Sequence, residues 1–244
     1  NTLLSPFHKI QNKELQKFDF IVSNPPFNLD FSDFREELTA KSNTDRFFAG
    51  VPKTLKKDNN QMPIYLLFLQ HIIFSLNESG RAAIVVPNGF LTAKGKIEKI
   101  IREKIINENI LDSVVIMPPN IFASTTTNVS VLFLKKKRKS ENVILIDASK
   151  LGTIVKDGKN NRNYLSENES KLIVDTIRNF NQIDSFSVIV NKERLKKRNL
   201  NLIPGQYFDV KLFYEKLSKK DFVYEENYWH KIMHNTINDT SGRP

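Results

Sequence analysis

Asn24-Pro25-Pro26-Phe27 is the stretch of this 244-residue chain whose residue types and order most directly suggest chemistry. Consecutive prolines fix φ and remove two backbone donors, so the loop is stiff and its carbonyls are not drawn into local turns. The Asn24 amide oxygen and a main-chain carbonyl can then act as paired acceptors, with Phe27 as an apolar stacking face. Such a pair suits an amine conjugated to a ring, because accepting both N–H bonds draws the lone pair towards sp³ character before it attacks an electrophile. Neither a general base nor a metal is needed. The competing structural account is a Pro-Pro turn that ends a strand with an aromatic packed behind it.

The flanking pattern says what must position these residues. Residues 18–23 are a short apolar run that reads as a buried strand, placing the motif at a strand end. Residues 29–61 are polar and irregular and read as a long surface loop with short helices at most. Pro63 opens a helix over 63–77, apolar on most sides and closed by Gly80. A buried strand over 81–87 follows, then a helix over 96–107 in which Ile97, Ile100, Ile101 and Ile105 face a sheet while Lys96, Lys99, Arg102 and Glu103 face water. Further strands are expected over 111–117, 128–134 and 142–146. The link between the first two of these suits an antiparallel pair better than a crossover. The sum is the second half of a doubly wound α/β sheet with an antiparallel strand near its end. From about residue 152 the pattern becomes more polar, with a helix over 167–180 and amphipathic pieces over 210–217. This divides the chain into residues 1–150 and an appendage, 151–244.

Composition bounds the possibilities. At 40% hydrophobic the chain can bury a core, and it has neither a membrane-length apolar run nor a signal-like start, which makes cytoplasmic placement the expectation. No cysteine is present, and the four histidines (His8, His71, His230, His234) are scattered, so no metal centre is expected. Lys and Arg outnumber Asp and Glu by 37 to 27, giving +10. The cations cluster at Lys135 to Lys139, in Lys192 to Arg198, and at Lys216, Lys219 and Lys220. A polyanionic partner would suit this balance, as would a merely solvated surface. None of the eight glycines forms a G-x-G loop after a strand, which a doubly wound nucleotide site needs at its first strand. The expectation is that the first half of the domain lies upstream.

The motif resembles the Asp/Asn/Ser-Pro-Pro-aromatic signature of amino-group methyltransferases. Further matches appear in order: Asn1-Thr2-Leu3, Phe18-Asp19, Asp45-Arg46-Phe47 with Gly50 and Pro52, Phe68-Leu69-Gln70-His71, Gly80-Arg81 through Pro87-Asn88-Gly89, Ile101-Arg102, the 118–122 turn, Ile146-Asp147-Ala148-Ser149, and Asn199-Leu200 to Gln206-Tyr207. With these, the chain resembles the modification subunit of Type I restriction systems, in its N6-adenine methylase domain. The resemblance implies a Rossmann-like methyltransferase using S-adenosylmethionine. In it, the Asn24 side-chain oxygen and the Pro25 carbonyl accept the N6 hydrogens of an adenine flipped out of double-stranded DNA, and Phe27 stacks on that base. Asn24 and Pro26 border the methyl side of the cofactor, and Asn1 matches a polar residue that contacts it. The implied partners are a specificity subunit, which reads the sequence and onto which residues 151–244 dock, and a restriction subunit. Thr125-Thr126-Thr127 stands where the family commonly has Thr-Gly, and Gln206 where Arg usually precedes the Tyr. Methyltransferases of ribosomal RNA guanine and of protein glutamine carry related loops, and a non-catalytic assembly or DNA-binding fragment would explain the missing glycine loop. The motif alone does not separate these readings.

Overall fold

A computed structural model describes residues 1–10, 14–54, 61–122, 127–158 and 160–208. All of these fall within one compact unit, Asn1–Phe208; a second unit is Asp209–Pro244. The expected 210–217 pieces, Lys216, Lys219, Lys220, Trp229, His230 and His234 lie outside the described residues, as do Thr125 and Thr126.

In chain order the elements are β1 (Phe18–Ser23), β2 (Leu29–Asp30), α1 (Arg35–Leu38), β3 (Gln61–Met62), α2 (Tyr65–Ser75), β4 (Leu76–Pro87), α3 (Lys96–Asn107), β5 (Leu111–Ile116), β6 (Val129–Lys135), β7 (Val143–Asp147), β8 (Thr153–Asp157), β9 (Asn160–Tyr164), α4 (Glu167–Asn179), β10 (Ser187–Val190) and α5 (Lys192–Lys197). Six strands form one sheet in the order β1-β4-β6-β5-β7-β10. β1 runs parallel to β4 and β5 parallel to β7, while β6 is inserted antiparallel to both β4 and β5. Four strands therefore point one way, and β6 and β10 oppose them. This is the α/β sheet with an antiparallel insertion that the pattern predicts, and α3 begins and ends where its isoleucine spacing places it.

α2 is apolar all round because it is covered on two sides. Leu66, Leu69, Ile72 and Ile73 belong to the main core beneath the sheet. Ile64 and Leu67 join a second cluster with Leu3, Leu38 and Phe47. That cluster sits under the expected surface loop, which is thus a packed excursion with its ends held together by the β2–β3 ladder, Leu29 opposite Met62. Gln70, fully buried, ties the excursion to α2: its Oε1 accepts the Ala49 N–H at 2.7 Å, and its Nε2 donates to the Gly50 carbonyl at 3.0 Å. At Gly50 φ is +93°, a conformation that favours glycine.

Several expectations change. β1 is not a buried strand: it is the sheet's edge, with Phe20 and Val22 76% and 87% exposed and only Ile21 packed against the core. An apolar run specifies a strand, whereas its burial depends on what lies across each face. Gly80 does not close a helix. α2 stops at Ser75, and Gly80 lies in β4 where a Cβ would come within 2.8 Å of the Phe18 carbonyl. β8 and β9 pair antiparallel within the polar stretch that follows residue 152. The sheet also continues past residue 150, since β10 pairs antiparallel with β7. α4, which opens with the Ser166/Glu169 capping box, packs Ile173 on Val115, Ile144 and Ile146 of the sheet.

Candidate active site

The carboxyl ends of β1 and β4 meet at one edge of the sheet, because the two strands are parallel. The antiparallel β6 starts at the same edge, with Val129 opposite Pro87. Asn24 to Phe27 leave β1 here. Asn24 is exposed, Pro25 buried, Pro26 exposed and Phe27 half-buried. A buried Pro25 anchors the corner while the residues on either side stay accessible. Asn24 is exposed, and among the described residues no hydrogen bond engages its amide.

Phe27 is half-buried, packs against the main core and is held by Tyr65. The Tyr65 N–H, in the first turn of α2 where no intrahelical carbonyl can reach it, donates to the Phe27 carbonyl at 3.4 Å. The two rings meet edge to face at 6.2 Å and 79°. Tyr65 in turn meets Phe90 at 6.2 Å and 89°. Phe90 lies in the Asn88–Leu91 turn that follows β4. Aromatic pairs of this geometry stabilise by about 0.5–1.5 kcal/mol each beyond their burial. Burial, together with the charge of Glu98, raises the pKa of the Tyr65 hydroxyl, so Tyr65 is a neutral ring at any working pH.

Arg102 completes this support and overturns its expected place in water. It is 2% exposed, donates to the Phe90 carbonyl at 2.6 Å and to the Ala93 carbonyl, and lies over the Phe90 ring at 5.6 Å. Burial lowers its pKa, an effect opposed by Glu98. Two carbonyls of the turn after β4 are what make that burial tolerable. Beside them, Ser130 Oγ donates to Asn88 Oδ1 at 2.6 Å and the Asn88 N–H donates to the Asn128 carbonyl at 2.9 Å, joining the turn to β6. The segment after α5 backs the same turn, with the Leu202 N–H on the Leu91 carbonyl.

Asn1 is exposed, and its Oδ1 accepts the N–H groups of Leu3 and Leu4 at 3.1 and 3.4 Å, so its oxygen caps the first turn. Only its amide nitrogen is left to contact a ligand. Arg46 does not form a surface pair with Asp45. It is 4% exposed and donates to the Leu3 carbonyl and Asn43 Oδ1 at 2.7 and 2.8 Å, its guanidinium over the Phe47 ring. His71 lines a cavity of about 130 Å³ with His8 and Ser75. Burial, then the nearby charges of Arg46 and Lys17, lowers its pKa to about 4 and keeps it neutral. Among the described residues no group of side chains could hold a metal ion. A cleft of about 570 Å³ lies between α4 and the sheet face carrying Phe20, Val22, Ala83 and Phe133, and the motif does not border it.

Of the ten clustered cations among the described residues, five are engaged by groups of the protein itself. β6 is antiparallel, so its end at Lys135 pairs with Arg81 at the opposite edge from the motif. Six residues of strand separate the edges, about 20 Å. There Lys136 Nζ donates to the Leu76 carbonyl, Lys137 pairs with Glu78 at 2.6 Å, and Arg138 is buried against Asp112. In the second cluster Lys192 donates to the Asn107 carbonyl and Arg194 to the Tyr207 carbonyl. Lys196, Lys197 and Arg198 remain exposed.

Sequence reasoning found the motif but not Tyr65, Phe90 or the role of Arg102. Nothing local marks them: Tyr65 and Phe90 read as ordinary core aromatics on apolar segments, and Arg102 reads as a solvated helix position.

Comparison with known proteins bears on this site. A model of the N-6 DNA methylase family matches residues 1–216. The chain is 28% identical over 214 residues to the Type I restriction enzyme MpnII methylase subunit of Mycoplasma pneumoniae, covering 87% of this chain and 37% of that protein. It is 31% identical over 200 residues to the HindI methylase subunit of Haemophilus influenzae, covering 79% and 42%. The crystal structure of the type I restriction-modification system methyltransferase subunit from Streptococcus thermophilus superposes with a TM-score of 0.68 at 26% identity, over 86% of this chain and 41% of that one. The chain thus spans less than half the length of these relatives.

Proposed function

The chain belongs to the N-6 DNA methylase family, and from that premise we propose that its Asn24–Phe27 corner methylates the N6 amine of adenine in DNA as part of a Type I restriction-modification system. The observation that carries the reading is the exposed Asn24 amide, without a hydrogen-bond partner among the described residues, on a diproline corner at the carboxyl edge of β1. The Asn24 oxygen and the Pro25 carbonyl accept the two N6 hydrogens of a base flipped out of the duplex. They stabilise the positive charge that develops on the nitrogen as it attacks. The N6–carbon bond forms as the sulfur–carbon bond of the donor breaks, and the resulting cationic amine loses a proton to water. Phe27 offers the base a stacking surface.

S-adenosylmethionine, when bound, supplies the electrophilic methyl group. Exposed Asn24 and Pro26 fit as the wall bordering that methyl, and the Asn1 amide nitrogen fits as a secondary contact. These residues amount to one border of a cofactor site. The glycine-rich grip that a doubly wound fold places at its first strand has no counterpart among the eight glycines here. The test is transfer of tritiated methyl by the assembled methylase that carries this chain. Label is expected in N6-methyladenine of duplex DNA; label in ribosomal RNA or in protein glutamine instead would defeat the reading.

The partners follow the same proposal: double-stranded DNA, a specificity subunit that supplies sequence recognition, and a restriction subunit. Docking onto the specificity subunit is assigned to residues 151–244, of which β10 also joins the sheet while α4 and the 199–207 segment supply core residues. Removing residues 209–244, which leaves that sheet intact, is expected to abolish co-purification with the specificity subunit. Undiminished co-purification would show that residues 209–244 are not needed for docking; undiminished co-purification after removal of 151–244 would refute the assignment.

A further inference from the structure

The diproline corner is stiff only as far as Pro26, since the χ angles of Phe27 are not restricted by the prolines before it. Its ring must be aimed by a neighbour, and one residue touches both its backbone and its ring. Tyr65 donates its N–H to the Phe27 carbonyl at 3.4 Å and sets its own ring against Phe27 at 79°. Tyr65 is itself held: it is 6% exposed, its other side meets Phe90, and Phe90 is fully buried with its carbonyl on Arg102 Nη1 at 2.6 Å. Among the described residues no hydrogen bond takes the Tyr65 hydroxyl, so the ring makes these contacts and the hydroxyl does not.

We propose that Tyr65 is the positioning residue for the stacking ring of Phe27, and that Arg102 and Phe90 hold Tyr65 for that role. The orientation of the base-stacking surface is therefore set from the first turn of α2 and, one step further back, from α3. This proposal rests on the adenine-methylation reading of the motif. In it, Tyr65 touches neither base nor cofactor; it acts through Phe27.

The experiment is a double-mutant cycle in the assembled methylase carrying this chain. It is read by single-turnover methyl transfer and by fluorescence of duplex DNA with 2-aminopurine at the target position. Tyr65→Phe is expected to match the unaltered protein. Tyr65→Leu is expected to slow the methyl-transfer step by about a hundredfold, the cost of roughly 1 Å of misplacement. It should also change the 2-aminopurine emission of the bound complex while leaving the KM for S-adenosylmethionine within about twofold. In a Phe27→Leu background the same change at Tyr65 is expected to cost no more than about twofold further, because its only route to the base is already gone. Equal losses in both backgrounds would make Tyr65 a structural residue and overturn the proposal. Should Tyr65→Leu fail to fold, Phe90→Leu crossed with Phe27→Leu runs the same cycle one contact further back, with the same two outcomes. Asn24→Ala in parallel separates the two readings. An active Asn24→Ala protein removes the methylation reading and this proposal together, whereas an inactive one with an additive cycle removes this proposal alone.

Discussion

Asn24→Ala is expected to lower methyl transfer to DNA adenine by about a hundred- to a thousandfold in the assembled methylase, the usual loss on removing one preorganised hydrogen-bond partner of a developing charge. The expected deficit lies in kcat, because the Asn24 acceptor matters most as N6 becomes cationic and least in the ground-state complex. Stability is the control. Asn24 is exposed and its side chain has no hydrogen-bond partner among the described residues, so the change should fall within about 0.5 kcal/mol of the unaltered protein in a denaturant titration. Asn24→Asp retains an acceptor and should keep more activity than the alanine variant. A normal kcat for Asn24→Ala would remove the motif from the chemistry.

The second large effect is expected where the sequence suggested DNA contact. Arg138 sits in the Lys135 to Lys139 run, yet its side chain is only 4% exposed. Its Nε donates to Asp112 Oδ1 at 3.0 Å, its Nη1 to Asn109 Oδ1 at 2.9 Å and to the Leu111 carbonyl, and its Nη2 to the Asn142 carbonyl. Burial lowers its pKa, and the Asp112 carboxylate opposes that shift. One guanidinium thus staples the start of β5 to the β6–β7 turn. Arg138→Ala leaves Asp112 and three further acceptors without their donor and is expected to cost about 3–5 kcal/mol in chemical denaturation, the range for breaking a buried ion pair from one side. Where the variant remains folded, the salt dependence of DNA affinity should not change. A phosphate contact would instead reduce the slope of log K against log salt by about 0.9. A stable variant with a reduced slope would return this run to the DNA interface.

The two residues show how much was legible in advance. The strand end at Asn24 was, because the covalent constraints of Pro25 and Pro26 act on the spot. α3 was legible too, since the spacing of Ile97, Ile101 and Ile105 is a property of the helix itself. The buried positions of Arg102 and Arg138 were not. Their acceptors are carbonyls of Phe90 and Ala93, 12 and 9 residues away, and groups of Asn109, Leu111 and Asp112, 26 to 29 residues away. β10 escaped detection because four residues carry too little periodicity, and its pairing with β7 is made across 40 residues of chain. Gly80 looked like a helix stop because it follows an apolar helix, but what demands glycine there is the Phe18 carbonyl of a neighbouring strand.

The sequence by itself determined the stiff acceptor corner, its position at the end of a strand, the apolar character of α2 and the α/β order that carries the chain back and forth across a sheet. Proline geometry, helical period and strand alternation operate within a few residues, so they can be read from neighbours. Only the tertiary structure decided that Asn24 is exposed, that Phe27 is held by Tyr65, that β1 lies at the sheet's edge and that several of the clustered cations are bound to the protein's own carbonyls and carboxylates. Each of these depends on which polar or apolar group closes against another after the chain has folded back over tens of residues. That pairing is fixed by burial, where an unmatched donor is costly, and not by local preference.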